Sequence, residues 1–260
     1  MRIRLLDVTI KCINNSSVIL GGAPMDILVK RLNRASGRRI LDVATGRGSF
    51  IKLLQEGLKD FDEIIGIDNL ETSILEKTGE DFKDKRIKFM HMDACNIVFD
   101  NESFDIVCLS NSLHHLADIQ TVLKEMMKVL KPGGLFIINE MICDNQTSAQ
   151  MTYVLMHHWW AKIDTALGKL HNETYPKQRI LNIADNLKLY DIEVLEFNDP
   201  DDHMNIELIE SISKIIDEYI ERSRSLNDFE ALKQEGETIR KRLIEFGVNG
   251  ATQVIILGKK

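Results

Sequence analysis

Between Arg39 and Glu140 the chain alternates two hydrophobic rhythms. Short, nearly unbroken apolar runs (RRILDVAT, EIIGID, RIKFMHMD, FDIVCLSNS and LFIINE) are separated by stretches whose apolar residues recur every three or four positions. An apolar run without polar alternation predicts a strand buried on both faces, and the longer period predicts a helix. DIQTVLKEMMKVL puts Ile119, Val122, Leu123, Met126 and Leu130 on one face, with Asp118 at the capping position. Lys131-Pro132-Gly133-Gly134 then predicts a turn, because proline presets the second turn position and glycine supplies a positive φ at the third. Strands and helices in alternation predict an α/β protein with a parallel sheet covered on both faces.

Outside this stretch the rhythm changes. Residues 1–38 read as a helical leader, with Pro24 at a first helical position and Leu28, Leu32 and Ala35 on one face. Residues 145–175 read as a helical addition that carries Tyr153, His157, His158 and both tryptophans, Trp159 and Trp160. Residues 176–200 read as a helix feeding the strand DIEVLEF, followed by the polar break NDPDDH. Residues 205–246 read as an inserted helical hairpin. Leu208, Ile212, Ile215 and Tyr219 mark one stripe, and Phe229, Leu232, Gly236, Ile239, Leu243 and Phe246 the other. Asn227 with Glu230 has the spacing of a capping box. TQVIILGKK, within residues 247–260, is the last strand. The expected plan is a core of residues 39–144, completed by 176–200 and 247–260, with helical additions.

Composition narrows the function classes. Lys and Arg number 33 against 40 Asp and Glu, a net charge of −7, so gripping a nucleic acid is not the expected role. The four cysteines (Cys12, Cys95, Cys108 and Cys143) form no CxxC pair, so neither a zinc ribbon nor a redox dithiol is expected. No apolar run approaches the ~18 residues of a membrane span. The N-terminal MRIRLLDVTIKC lacks the apolar centre of a secretory signal, so a cytoplasmic protein is the expectation.

Four polar features fall in order at the C-terminal ends of the predicted strands, where open α/β sheets bind ligands. The first is Asp42-Val43-Ala44-Thr45-Gly46-Arg47-Gly48, whose glycines allow close approach of backbone to a ligand. Ile51 stands where a dinucleotide fingerprint needs a small residue, and no Walker lysine follows, so the loop suits a ligand without a pyrophosphate. The second is Asp68, placed to accept both hydroxyls of a ribose. The third is Asp93-Ala94, whose carboxylate can accept from an exocyclic amine. The fourth is Ser110-Asn111, followed by His114 and His115. Asp42 has two readings, contact with the ligand or stabilisation of the glycine turn.

LDVATGRG, GID, MDACNIVFDNESFDIVCLSNSLHHL and VLKPGGLFIINE together resemble the class I S-adenosylmethionine-dependent methyltransferases, in the methyltransferase type 11 group. The resemblance covers about Arg39 to Glu140. It implies a doubly wound, seven-stranded, mostly parallel Rossmann-like sheet, with DIEVLEF and TQVIILGKK as its last two strands. It implies that Asp42, Ala44, Gly46 and Gly48 surround the methionine part of S-adenosylmethionine. Asp68, with Asn69 beside it, would hold the ribose. Asp93 and the Ala94 amide would meet the adenine, and Ser110 and Asn111 the methionyl end. The family pattern departs at the 205–246 insertion.

His114, His115 and Glu140 are the candidates for acid–base work, since they border the expected site. Packing and capping roles are the alternative for the histidines. Adjacent helical residues point in different directions, so His157, His158, Trp159 and Trp160 do not share one face, and no metal site is expected there. Tyr153, Trp159, Trp160 and Tyr175 are candidates to wall a pocket for a small organic methyl acceptor. Rival readings are a protein or RNA methyltransferase and a non-catalytic binder of the cofactor. The SNSL segment lacks the Asn/Asp-Pro-Pro-aromatic signature that the resemblance associates with methylation of nucleic-acid bases. A second copy of the chain is left open as a partner.

Overall fold

The computed structural model describes residues 23–34, 38–198 and 204–260, with side chains from residue 27 in the first of these segments. Cys12, Ala35 and the acidic turn Asp199, Asp201, Asp202 and His203 lie outside the described residues. The chain forms two compact units. Among the described residues, one comprises those from 23 to 140 together with Gln178–Phe197 and Val254–Lys260; the other includes Met141–Lys177 and the described part of Asn198–Gln253.

The first unit is built on a seven-stranded sheet in the order β3-β2-β1-β4-β5-β7-β6. Its elements in chain order begin with α1 (Ala23–Arg34), β1 (Arg39–Val43), α2 (Ser49–Gly57) and β2 (Glu63–Asp68). There follow α3 (Thr72–Glu80), β3 (Ile87–His91), β4 (Phe104–Ser110), α4 (Ile119–Val129) and β5 (Leu130–Met141). After the second unit's α5 (Ser148–Ala166), the helix α6 (Lys177–Asp185) leads into β6 (Tyr190–Phe197), and β7 (Gln253–Lys259) enters last. The pairs β1–β2, β1–β4, β2–β3 and β4–β5 are parallel. Both faces of the central strands are buried: Ile40, Leu41 and Val43 of β1, and Ile106, Val107, Cys108 and Leu109 of β4, are sealed from solvent. This is why the runs show no polar alternation.

Two expectations change here. The leader is not a separate segment: Leu28 and Leu32 of α1 share a core with Phe50, Ile51 and Leu54 of α2, and Arg31 donates to Asp191 Oδ2 on β6 at 2.7 Å. The Pro-Gly-Gly turn keeps the positive φ expected at Gly133, 75°, but forms inside β5 and not before it. Helix α4 runs directly into β5, and the register jumps from Phe104↔Leu130 to Ile106↔Leu135, so residues 131–134 bulge from a continuous strand. The N–H of Gly133 donates to Lys260 O at 2.8 Å on the neighbouring chain segment, which keeps the bulge within the sheet's hydrogen bonding.

The second unit packs α5 against α7 (Ile206–Arg222) and α8 (Phe229–Phe246). Met156, Trp159, Trp160 and Ile163 of α5 meet Ile212, Ile215, Ile216 and Tyr219 of α7 and Leu232, Ile239 and Leu243 of α8. Trp159 is fully buried and its Nε1 donates to Leu232 O at 2.9 Å. A Cβ at Gly236 would lie 2.7 Å from Trp159 Cζ2, so the helical glycine makes room for the indole. Trp159 is therefore a core residue and not the pocket wall expected of it, because the hairpin's second stripe closes over it. The Asn227–Glu230 capping box does not form either: Asp228 precedes α8 and makes no side-chain cap. The capping box is instead at α5, where Thr147 and Gln150 exchange side-chain-to-backbone hydrogen bonds.

Candidate functional site

Parallel register brings the predicted polar groups to one edge of the sheet unit. Val43 is level with Ile67 and Leu109, Asp68 with His91, and Ser110 with Asn139. The strand order reverses direction between β1 and β4, which is where a doubly wound sheet opens a crevice beyond its strand ends.

The loop after β1 is held by its own polar groups. Ala44 and Gly46 both have φ of 52° and Gly48 has 73°, so the chain curls through left-handed backbone. The N–H of Gly46 donates to Asp68 Oδ2 at 2.8 Å, and the N–H of Leu70 donates to Asp68 Oδ1 at 3.0 Å. Asp68 thus ties the loops after β1 and β2 together and still has lone pairs for a ligand's hydroxyls.

The two glycines do different things. A Cβ on Gly46 would meet nothing within 4 Å, so open space lies over the loop at that point. A Cβ on Gly48 would lie 2.7 Å from Phe89 Cζ and 2.8 Å from Phe82 Cζ, so Gly48 serves packing on that side. Gly48→Ala is expected to lower unfolding free energy by about 2 kcal/mol, from the left-handed φ and the overpacking together. Urea denaturation would check this; a loss under about 0.5 kcal/mol would mean that the phenylalanine rings yield freely.

Asp42 sits underneath the loop, almost completely buried. Its Oδ2 accepts from Thr45 Oγ1 at 2.6 Å and its Oδ1 from Cys108 Sγ at 3.4 Å. Burial pushes its carboxyl up to about 7, against the lowering effect of those two hydrogen bonds. This geometry realises the turn-stabilising reading. Burial, with Asp42 alongside, also pushes the Cys108 thiol well above its usual range, so Cys108 is an inert core donor.

Further along the edge, Asp93 Oδ1 accepts from the N–H of Cys95 at 2.9 Å, which turns the chain after β3 and places Ala94 in the bend. His91 Nδ1 lies 2.7 Å from Leu70 O and braces the loop that holds Asn69. After β4, Asn111 adopts a φ of 47°, and its N–H donates to Asn139 O at 2.8 Å.

His114 and Glu140 form a pair at the ends of β4 and β5. The ring Nδ1 lies 3.1 Å from Glu140 Oε1, and both side chains are buried. Glu140 Oε2 accepts from the N–H of Leu113 at 2.8 Å, fixing the 3-10 turn Leu113–His115 that carries the histidine. His115 is exposed, with its ring centroid 4.2 Å from that of His114.

Sequence reading missed Thr45, Ser112 and Asn139. Ser112 Oγ donates within reach of Ala44 O and Ser110 O, and Asn139 Nδ2 donates to Ser110 Oγ at 2.9 Å, stitching the β1, β4 and β5 ends together. The position of Thr45 three residues after Asp42 was the available signal; for Ser112 and Asn139 there was none without the register.

Residues 41–138 match the family described as Methyltransferase domain. A demethylmenaquinone methyltransferase of Geobacillus sp. (strain WCH70) is 30% identical over 154 residues, which is 56% of this chain and 62% of the relative. The chain thus spans about three fifths of that relative's length. The YcgJ protein of Bacillus subtilis superposes with a TM-score of 0.56 at 16% identity, covering 90% of this chain and 97% of its own. A phosphoethanolamine N-methyltransferase 2 of Haemonchus contortus, solved with phosphomonomethylethanolamine and S-adenosylhomocysteine, gives 0.54 at 19% identity, over 97% of this chain and 57% of its own. Residues 41–138 are thus similar to methyltransferase domains.

Of the residues singled out from sequence, the sheet unit brings Asp42, Ala44, Gly46, Gly48, Asp68, Asn69, Asp93, Ala94, Ser110, Asn111, His114, His115 and Glu140 to its strand-end edge. Tyr153, Trp159, Trp160 and Tyr175 belong to the helical unit. There Trp160 stacks on Tyr219 with ring centroids 5.3 Å apart, and the backbone of Tyr175 bridges to Ile142. Among the described residues, no helix is long and apolar enough to cross a membrane.

Proposed function

We propose that the protein transfers a methyl group from S-adenosylmethionine to a small organic acceptor, with His114 taking the acceptor's proton. The observation that carries the reading is the pair formed by His114 and Glu140 at the strand-end edge that also holds Asp68 and the open loop at Gly46. Asp68 would accept from the ribose hydroxyls. Asp93 and the Ala94 amide would meet the adenine. The loop from Ala44 to Gly46, with Ser110 and Asn111, would hold the methionyl part.

S-adenosylmethionine supplies an electrophilic methyl carbon, which leaves with the C–S electron pair remaining on sulfur. The chain's contribution is alignment of the acceptor at ~3–3.5 Å and exclusion of water. Glu140 accepting the Nδ1 proton leaves Nε2 as the proton-accepting nitrogen of His114. The named relative acts on demethylmenaquinone by its printed name, which supports a small organic acceptor.

Turnover of labelled S-adenosylmethionine against the small-molecule fraction of a cell extract tests the reading. Label entering the protein or nuclease-sensitive fraction instead would replace it with a macromolecular acceptor, and no turnover in any fraction would leave a cofactor-binding protein. His114→Gln and Glu140→Gln are each expected to lower turnover ~10²-fold with S-adenosylhomocysteine affinity within threefold of wild type. Unchanged turnover with an acceptor that must lose a proton would remove His114 from the chemistry.

A further inference from the structure

The helical unit contains a second histidine–carboxylate array that methyl transfer leaves unused. His157 on α5 and His171 on the segment after it face one another with their Nε2 atoms 3.4 Å apart and their rings near perpendicular, at 83°. Both are buried, at 6% and 8% exposure. The far nitrogen of His171, Nδ1, lies 3.0 Å from Asp164 Oδ2. Asp164 is itself held by Arg222 and is buried, and its carboxyl is lowered because His171 and Arg222 outweigh the effect of burial. The segment carrying His171 is anchored by Thr165 Oγ1 donating to His171 O at 2.8 Å and by the N–H of Lys169 donating to Asp164 O at 2.9 Å.

This spacing fits two nitrogens around a common ion. Two imidazole nitrogens on one tetrahedral zinc, at ~2.0–2.1 Å each, stand roughly 3.3–3.4 Å apart. The same distance is within hydrogen-bond reach, so a bound metal would replace a proton shared between the two rings. A metal-binding histidine also characteristically gives its other ring N–H to a carboxylate, the relation His171 has with Asp164. A separate sign of a missing ligand is Trp160 Nε1, a buried donor with no hydrogen-bond partner among the described residues, on a ring 6.3 Å from that of His157. A metal-bound water or hydroxide is an acceptor for such a group.

We infer that His157 and His171 are two ligands of a divalent transition-metal site of the zinc class, with Asp164 as the outer carboxylate. The remaining positions go to solvent or to a small anion. The charge balance favours an anion: Asp164 already offsets Arg222, and the two imidazoles are neutral, so the ion's two positive charges call for hydroxide or an anionic ligand.

Titration of the metal-stripped full chain with Zn²⁺ alone, followed by calorimetry, tests this without reference to turnover. One saturable site is expected in the wild type. His157→Ala and His171→Ala are each expected to weaken it at least ~10-fold, and Asp164→Asn by ~10–100-fold. His158→Gln, a neighbour whose Nε2 lies 2.8 Å from Thr174 Oγ1, is expected to leave it unchanged. Co²⁺ bound to the wild-type protein should show the visible absorption of a four-coordinate, nitrogen-ligated ion, a measurement that holds even if a variant fails to fold. No saturable Zn²⁺ binding by the wild type, or unchanged affinity in folded His171→Ala, would leave a hydrogen-bonded histidine pair and overturn the site.

Discussion

Asp68→Ala is expected to weaken S-adenosylhomocysteine binding by ~10²-fold or more. Two hydrogen bonds from ribose hydroxyls to an ionised carboxylate are worth ~1.5–3 kcal/mol each. The substitution also removes the acceptor that Gly46 and Leu70 donate to, at 2.8 and 3.0 Å, so the two loops lose their tie at the same moment. Asp68→Asn separates the contributions. It keeps an oxygen for one donor and loses the charge, and it should fall between wild type and alanine. Calorimetry with S-adenosylhomocysteine on protein whose circular dichroism and melting are intact is the check. Affinity within threefold of wild type in Asp68→Ala would take Asp68 out of the cofactor site. NAD should give no thermal shift under the same conditions, because the loop after β1 has Ile51 in place of the small residue a pyrophosphate-binding helix needs.

The second large effect is a pH dependence centred on Asp42. Its carboxyl is raised from 3.8 to about 7, first by burial, with only Thr45 and Cys108 as counteracting donors and Asp68 adding to the rise. Between these two values the folded chain holds a proton that the unfolded chain has lost. The stabilisation from the neutral carboxyl is therefore complete below pH 3.8 and disappears as pH rises towards 7. Relative to Asp42→Asn, which cannot ionise, wild-type stability should fall by about 1.4 kcal/mol per pH unit in this window, on the order of 4 kcal/mol in all. Other carboxylates work in the opposite sense. Lys88 and Arg39 lower Glu63, and Arg31 lowers Asp191, so stability from these pairs is lost in acid. The comparison is thus between wild type and variant across pH 5 to 8, by urea denaturation at each pH. A difference that stays flat would mean that Asp42 is ionised in the folded protein at pH 5.

The ligand edge of the sheet was legible because its determinants are local. Each strand announces itself as an apolar run, and the group that terminates it follows within one or two residues, as Asp68 follows Ile67 and Ser110 follows Leu109. Parallel pairing then aligns those terminations without further instruction, since a strand buried on both faces has one register that keeps its apolar run inside. The helical hairpin was legible for the same reason, through its three- and four-residue steps.

What depended on contacts distant in sequence was not legible. Trp159 and Trp160 are adjacent, yet one is closed over by Leu232 and Gly236 and the other stacks on Tyr219. Which face of α5 meets which helix is settled by packing complementarity among three helices, not by the period of any one of them. The separate roles of Gly46 and Gly48 depend on where Phe82 and Phe89 arrive.

The sequence by itself determined the strand-and-helix rhythm, the sheet class and the order of polar groups along the ligand edge, because these rest on hydrophobic periodicity and turn chemistry within a few residues. Only the tertiary structure decided the Glu140 partner of His114 and the Arg222 partner of Asp164. Glu140 lies 26 residues from His114, and Arg222 lies 58 residues from Asp164. Burial then turns such a meeting into a chemical property: the Asp42 carboxyl, an ordinary acid in water, is pushed up to about 7 under the loop.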